Sequence, residues 1–268
     1  MVVFQSVYGV DFSGAANAGK HIWIANGVVT DNVLTIKQCF PASALPNSSN
    51  DRQQAITALR THIANSTHAL FGLDFPFSLH QSQLHSNTWT DFALAFAQRY
   101  PTADAFRAAC GGRGNELRRQ TDLDTGTPFA AGNLRMYRQT YYGIRDLLAP
   151  LVRSQTAVIF PMQPPEGNKP VVIEVCPAVT LRRLQARLPN YKEHGAESIA
   201  TRQRIMAALE GAGVTFVDTA LRARVLDNAR GDALDSVIAA YGAAATFCNG
   251  AFQTQPSLLE LLEGKVYG

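Results

Sequence analysis

The chain has 268 residues, of which 46% are apolar, 17% charged and 9% aromatic. This composition supplies enough apolar surface for a packed core and excludes a disordered or fibrous protein. The formal net charge of +3 excludes a strongly basic nucleic-acid-binding protein. No apolar run approaches the roughly 18 residues that span a bilayer, and no basic leader precedes the first acid. We therefore expect a cytoplasmic protein with reduced cysteines and no membrane partner.

The first forty residues predict an antiparallel meander of three strands. Residues 6–10 alternate between polar and apolar side chains and end at Asp11, and residues 21–25 are rich in β-forming side chains. Asn26-Gly27 is typical of a hairpin turn. Two short apolar runs, 28–29 and 33–36, are separated by Thr30-Asp31-Asn32 and complete the meander.

The rest of the chain alternates helices with strands. Helical spacing of apolar residues begins at Asp51, a plausible N-cap, and a strand over residues 68–73 follows. The β-branched segment 171–175 is another strand, and an Ala-rich helix over 233–247 comes last. This order predicts an α/β fold in which helices flank a mixed sheet.

The segment 78–165 is the least regular part and is interpreted as a mostly helical insertion within one domain that spans residues 1–268. Helices are predicted over 90–99 and 134–152, with a Gly- and Arg-rich connection between them. That connection contains the charged run ELRRQTD.

Carboxylates recur where strands end. Asp11 closes the first strand, Asp74 the strand after the first helix, and Glu174 lies near the end of VVIEV. Asp232 and Asp235 are three residues apart at the start of the last helix and share one face. Ligands of such sheets gather at the carboxyl ends of strands. Acids that would repel one another there indicate a cation, and oxygen-rich clusters suit Mg²⁺ or Mn²⁺.

Each acid also has a structural interpretation. Asp11 can cap a turn with Ser13, and Asp74 can form a turn before Phe-Pro. Asp232 is a plausible helix N-cap. Glu174 is harder to explain in this way, because a carboxylate within an apolar strand must be paired, protonated or bound to a metal.

Four motifs in order, GVDFSGA, GLDFPF, IEVCPA and GDALDSVIAAYGA, extend over nearly the whole chain. They resemble the motifs of domain of unknown function family 429, an uncharacterised family of predicted nucleases in the ribonuclease H-like superfamily. The Asp232-x-x-Asp235 pair is similar to a helix motif of the Holliday-junction resolvases. The resemblance implies an RNase H-like, mixed five-stranded sheet, antiparallel and then parallel. It also implies Asp11, Asp74 and Asp235 as metal ligands.

Further residues are candidates for binding the substrate. The resemblance extends to Lys192 and to an arginine such as Arg202, although both also suit a solvated surface. A lysine near metals would hold a phosphate or neutralise a leaving group. Ser13 and Gly14 can offer a hydroxyl and backbone N–H groups to a phosphate. Arg119, in ELRRQTD, belongs to a substrate lid, to an internal salt-bridge cluster or to a solvated face.

These patterns together predict a metal-dependent phosphodiesterase in which Mg²⁺ or Mn²⁺ activates water. Its substrate would be a nucleic acid or a small phosphoester. Two alternatives stay open. Asp11-Phe12-Ser13-Gly14 also suits the phosphate loop of an actin-like or sugar-kinase-like nucleotide-binding protein, and the modest net charge suits a non-catalytic binding module on the same fold. The predicted catalytic residues are Asp11, Asp74, Glu174, Lys192, Asp232 and Asp235.

Overall fold

A computed structural model describes residues 4–112 and 114–268. Its strands are β1 (Ser6–Asp11), β2 (Trp23–Thr30), β3 (Val33–Pro41), β4 (Ala69–Leu73), β5 (Val158–Ile159), β6 (Val171–Val175), β7 (Val214–Phe216) and β8 (Val266–Tyr267). Its α-helices are α1 (Arg52–Ala64), α2 (Trp89–Arg99), α3 (Ala103–Ala109), α4 (Gln120–Thr125), α5 (Tyr137–Tyr142), α6 (Ala149–Ser154), α7 (Pro177–Arg183), α8 (Ala196–Gly211), α9 (Thr219–Asp227), α10 (Asp232–Cys248) and α11 (Leu258–Glu263). Across the two described ranges, the helices are all too short or too polar to cross a membrane.

The strands form one mixed sheet in the order β5-β6-β4-β1-β2-β3-β7, and β8 pairs with β6. Strands β1, β2 and β3 are antiparallel neighbours, whereas β4 is parallel to β1 and β6 is parallel to β4. The predicted α/β class and the antiparallel-then-parallel arrangement are therefore confirmed. The predicted count of five strands is too low, because β5 and β8 have only two residues each and leave no periodic pattern.

The turn between β2 and β3 lies at Asp31 and Asn32, so its predicted position at Asn26-Gly27 is wrong. Asp31 has φ 52° and Asn32 φ 63°, a left-handed conformation that Asp and Asn tolerate. Asn26 and Gly27 continue β2, and the register with β3 shifts between them. A Cβ at Gly27 would lie 2.7 Å from the Thr35 carbonyl oxygen, so this glycine permits a close approach of two strands.

Two hydrophobic clusters cover the two faces of the sheet. One packs α8, α9 and α10 against the sheet, and the other packs α1, α2 and the α5–α6 segment. Side chains alternate along a strand, so Asp11 shares the α10 face with Val7. Glu174 lies on the opposite face, because its neighbour Ile173 packs toward α10. The predicted acids therefore leave the sheet in two directions.

The chain between β4 and β6 holds α2 to α6 and β5. The helix predicted over residues 90–99 is confirmed as α2. The one predicted over 134–152 begins three residues later, at Tyr137, and a π-helical turn, Gly143–Leu148, joins its two α-helical parts, α5 and α6. Arg113, within the predicted insertion, lies outside the described residues.

Helix α10 lies very close to β1 because both surfaces carry small residues. A Cβ added at Gly9 would collide with the backbone nitrogen of Ala240 and the carbonyl oxygen of Ser236. On the neighbouring strand, Gly72 faces Ala243 in the same way, at 3.0 Å from its Cβ. The position of the first turn of α10, which carries Asp235, therefore depends on glycine in the sheet.

We expect Gly9→Ala to lower the free energy of unfolding by about 3 kcal/mol, because α10 must move away from β1 to admit a methyl group. Urea unfolding of the wild type and the variant measures the change, provided that the two proteins have the same m-value. Gly211→Ala is the matched control, since no atom lies within 4 Å of a Cβ built there and alanine favours a helix. A Gly9→Ala protein as stable as the wild type would contradict the close packing.

Candidate functional site

Two acids come together at the carboxyl ends of adjacent parallel strands. Asp11 is the last residue of β1, and Asp74 directly follows β4. Val10 pairs in register with Leu73, and the backbone N–H of Asp74 donates to the Val10 carbonyl oxygen at 3.0 Å. The two carboxylates therefore leave the sheet side by side. Asp235, in the first turn of α10, lines the same cavity as these two carboxylates.

These acids line a cavity of about 210 Å³ between the sheet edge, α10 and the insertion. Its lining combines charged groups with an apolar wall. The carboxylates are Asp11, Asp74, Asp122, Glu174 and Asp235; the cations are Arg119 and Lys192; the wall includes Phe75, Phe129 and Met136. With five acids and two bases, the lining is strongly acidic. The volume of the cavity suits a ligand group of only a few atoms.

Burial and mutual repulsion disfavour the ionised forms of the two strand-end acids. Burial raises the pKa of Asp11 well above its usual range; Lys192 opposes this effect, and repulsion from Asp235 adds to it. Burial, with repulsion from Asp235, raises the pKa of Asp74 to about 7. A cation placed between these carboxylates would relieve both effects.

Asp235 is held differently, by two neighbours in the loop before α8. The Tyr191 hydroxyl donates to its Oδ1 at 2.8 Å, and the Lys192 ammonium forms an ion pair with its Oδ2. Asp235 is buried, whereas half of the Lys192 side chain is exposed. The Asp235 carboxylate raises the pKa of Lys192, so this lysine is charged at neutral pH.

Arg202, predicted to bind substrate, lies outside the lining of this cavity. Its side chain is buried and donates to backbone carbonyls on both sides of the site, including Tyr191 at 2.9 Å and Leu226 at 2.8 Å. It also donates to Glu193 and Ala229. The structure therefore places Arg202 as a support that fixes the Tyr191–Lys192 loop against the chain leading into α10.

Glu174 and Arg119 form a buried ion network with Asp122. The Arg119 guanidinium donates to both Glu174 oxygens, at 2.7 and 2.5 Å, and to Asp122 Oδ1 at 2.8 Å. It also donates to the Glu263 carbonyl oxygen, and the Phe77 N–H donates to Glu174. Of the three interpretations of ELRRQTD, the internal salt-bridge cluster matches the contacts of Arg119. This network ties the insertion to β6 and α11.

Three more predicted residues lie beside the cavity. Asp232 is buried and contacts His21 Nδ1 at 3.3 Å and Arg230 Nε at 3.4 Å. Ser13 and Gly14 lie beyond Asp11, where they line a second cavity. The structure thus brings Asp11, Asp74, Arg119, Glu174, Lys192 and Asp235 to one cavity and sets Asp232, Ser13, Gly14 and Arg202 around it.

The chemistry of the strand-end acids fits a divalent cation, although the three predicted ligands do not form a ready-made set. Within residues 4–112 and 114–268, no group of three His, Cys, Asp or Glu side chains is arranged to hold a metal ion. Both oxygens of Asp235 are already engaged, one by the Tyr191 hydroxyl and the other by the Lys192 ammonium. Asp11 and Asp74 could therefore hold a cation first, and Asp235 only after Lys192 moves.

Tyr191, Asp122 and Gln139 also line the cavity and were not among the predicted site residues. Tyr191 stands next to Lys192 in the sequence, and that adjacency was the one signal for it. Asp122 lies three residues after Arg119, a spacing that suits an ion pair within one helical turn. Gln139 donates to the Phe12 carbonyl oxygen across 127 residues, a contact that no local pattern reveals.

The fold and the site define an α/β protein with an acidic cavity at the carboxyl ends of parallel strands. The family model described as "Protein of unknown function (DUF429)" matches residues 9–258, so the chain belongs to the DUF429 family. No curated protein matches the chain. No solved structure matches it either.

Proposed function

We propose that the protein is a metal-dependent phosphodiesterase with an RNase H-like core. The observation that carries this proposal is the pair of adjacent strand-end carboxylates, Asp11 and Asp74, whose ionised forms Lys192 compensates only in part within an acidic cavity. The strand order β6-β4-β1-β2-β3 supports the RNase H-like part, because it has the antiparallel meander followed by parallel strands that the motifs implied.

In this proposal Asp11 and Asp74 hold Mg²⁺ or Mn²⁺, and Asp235 joins them. A bound divalent cation supplies Lewis acidity toward the phosphoryl oxygen and lowers the pKa of water. The cation also neutralises the charge of the Asp11 and Asp74 carboxylates, which reduces the repulsion of an anionic substrate.

Lys192 and Tyr191 have separate roles. The Lys192 ammonium reaches the cavity from a half-exposed side chain, so it can leave Asp235 and donate to a phosphate oxygen. Tyr191 stays on the other oxygen of Asp235 and keeps that carboxylate oriented. Arg202 fixes the loop that carries both residues, and it is therefore a positioning residue.

Glu174 acts in this proposal as a positioning residue. Both of its oxygens are bound by Arg119, and it lies on the sheet face opposite to Asp11. Through Arg119 and Asp122 it holds α4 against the sheet, and α4 leads to the wall formed by Phe129 and Met136. The network thereby sets the width of the cavity.

Calorimetric titration with Mn²⁺, followed by hydrolysis of bis(p-nitrophenyl) phosphate, tests the proposal. We expect the wild type to bind Mn²⁺ and to cleave this diester only with the metal. Asp74→Asn should weaken Mn²⁺ binding by at least about tenfold, because one charged oxygen ligand is lost. Asp31→Asn, in the exposed β2–β3 turn, is the control and should leave both measurements unchanged.

Absence of Mn²⁺ binding by the wild type would overturn the proposal. Lys192 would then be the cation that balances Asp235, and the non-catalytic alternative on the same fold would be favoured. Binding without cleavage of any phosphodiester would also overturn the hydrolytic part of the proposal.

A further inference from the structure

A second cavity, of about 410 Å³, lies beside the acidic one. The segment Ser13–Ala15 and residues at the start of α5 line it. Gln139 lines both cavities, and its side chain donates to the Phe12 carbonyl oxygen. The two cavities are therefore neighbours on either side of one residue. Ser13 is two residues after Asp11, so their backbones are at most about 7 Å apart.

The charge of this second cavity is opposite to that of the first. Its lining contains two arginines, Arg135 and Arg138, and no acidic side chain among the described residues. In the same part of the chain, neither arginine forms an ion pair with a carboxylate. Both are exposed, so their positive charge is available to a ligand.

Aromatic rings orient both guanidinium groups. Arg135 Cζ lies 5.3 Å from the ring centroid of Phe129, and Arg138 Cζ lies 5.4 Å from that of Tyr137. An arginine held against a ring keeps its N–H donors free for a bidentate contact with phosphate oxygens. Tyr137 is itself buried, and its hydroxyl contacts Asp104 at 3.3 Å, which fixes the ring under Arg138.

Gly14 holds the wall of this cavity in place. A Cβ at Gly14 would lie 2.5 Å from the carbonyl carbon of Arg138, so the loop after Asp11 touches the backbone of α5 directly. Arg52 Nη1 donates to the Gly14 carbonyl oxygen at 3.1 Å and fixes the loop from the other side. The Ser13 hydroxyl, which accepts from Ala15 N at 3.3 Å, can still donate its own hydrogen.

We propose that Arg135, Arg138 and Ser13 bind a second phosphate of the substrate, adjacent to the phosphodiester that is cleaved in the acidic cavity. This inference rests on the proposed phosphodiesterase function and names its substrate class: a nucleotide chain or a phosphorylated dinucleotide, in preference to an isolated diester. The second phosphate is either a neighbouring diester of the chain or a terminal phosphomonoester, since both offer the oxygens that arginine binds.

Three thymidine substrates separate these sources in the presence of Mn²⁺. TpT has the cleaved diester alone, TpTpT adds a neighbouring diester, and pTpT adds a terminal phosphate. We expect a KM for pTpT or TpTpT at least about tenfold below that for TpT, because a charge-assisted contact contributes about 1.5–3 kcal/mol. A preference for both favours the chain, and a preference for pTpT alone favours the terminal group.

Arg135→Ala and Arg138→Ala should each lower the ratio of the KM for TpT to that for the longer substrates roughly tenfold, or bring it to one. Arg153 is an exposed arginine on α6, and Arg153→Ala should leave this ratio unchanged. A binding measurement is independent of cleavage: inorganic phosphate is titrated into the wild type in EDTA, where the acidic cavity repels anions. We expect the wild type and the Arg153→Ala control to bind phosphate equally well, and Arg135→Ala and Arg138→Ala to bind it more weakly.

The two proposals fail in different ways. Phosphate binding that depends on the arginines, without cleavage of any diester, supports the second cavity and overturns the hydrolase. Metal-dependent cleavage at equal KM for TpT, TpTpT and pTpT overturns the second-phosphate site and leaves the hydrolase standing. Phosphate binding that is absent, or unaffected by both arginine variants, also overturns the second-phosphate site.

Discussion

Replacing Arg119 with alanine should lower the free energy of unfolding by about 3–5 kcal/mol. The variant leaves the carboxylates of Glu174 and Asp122 buried without their cation, and each is almost fully excluded from solvent. It also removes the donor to the Glu263 carbonyl oxygen that ties α4 to α11. The loss exceeds that of a surface ion pair because the stranded charges cannot regain water.

Chemical unfolding in urea at neutral pH measures this change. Arg182→Ala is the matched control, because Arg182 is exposed and donates to Thr125 and Gly126 at the end of the same helix, α4. That variant should lose less than about 1 kcal/mol. A loss at Arg119 no larger than that at Arg182 would mean that the network of Arg119, Glu174 and Asp122 contributes little to holding the insertion.

The sequence predicted the acids better than their partners. Asp11, Asp74 and Asp235 reach one cavity because strand ends and a helix start converge at a sheet edge, and that rule needs only the order of elements. Glu174 was grouped with them for the same reason. Its different role follows from alternation along β6, which turns it to the other face, where Arg119 arrives from 55 residues away.

Long-range contacts explain most of what the sequence did not predict. Arg202 donates to backbone carbonyl oxygens up to 27 residues away. Every residue has such a carbonyl, so the sequence does not indicate which ones Arg202 contacts. The Lys192–Asp235 ion pair likewise depends on how the loop before α8 folds over α10. At Asn26-Gly27 a strong local turn signal was overridden by pairing with β3, while Asp31 and Asn32 supplied the turn.

Asp11→Asn should have opposite effects on function and on stability. In the proposed hydrolase it removes a metal ligand, so Mn²⁺-dependent cleavage should fall by at least about a hundredfold. Without metal the same change removes a buried carboxylate that Asp74, Asp232 and Asp235 repel. The variant should therefore be more stable than the wild type, since each pKa unit of the shift corresponds to about 1.4 kcal/mol.

The pH dependence of this stabilisation has a definite sign. Burial raises the pKa of Asp11 in the folded state above its value in the unfolded chain, so ionised Asp11 destabilises the wild type at high pH. The advantage of the variant should be absent below about pH 3, where Asp11 is protonated in both states, and should grow as the pH rises from about 4 toward about 8. Urea unfolding in EDTA across this range measures it, with Asp31→Asn as control.

The opposite effects of Asp11→Asn on cleavage and on stability distinguish a metal ligand from a structural acid. If Asp11 served only to cap the turn with Ser13, its replacement would lower stability at neutral pH and leave any metal-dependent cleavage intact. If Asp11 is a metal ligand, its replacement has the reverse effects: stability rises and cleavage is lost. The reason is that, without metal, the carboxylates of the cavity repel one another, and the bound cation removes this repulsion. Excess Mn²⁺ should accordingly stabilise the wild type more than Asp11→Asn, since only a ligand that binds the folded state shifts unfolding. Equal stabilisation of the two proteins would exclude Asp11 from the metal site.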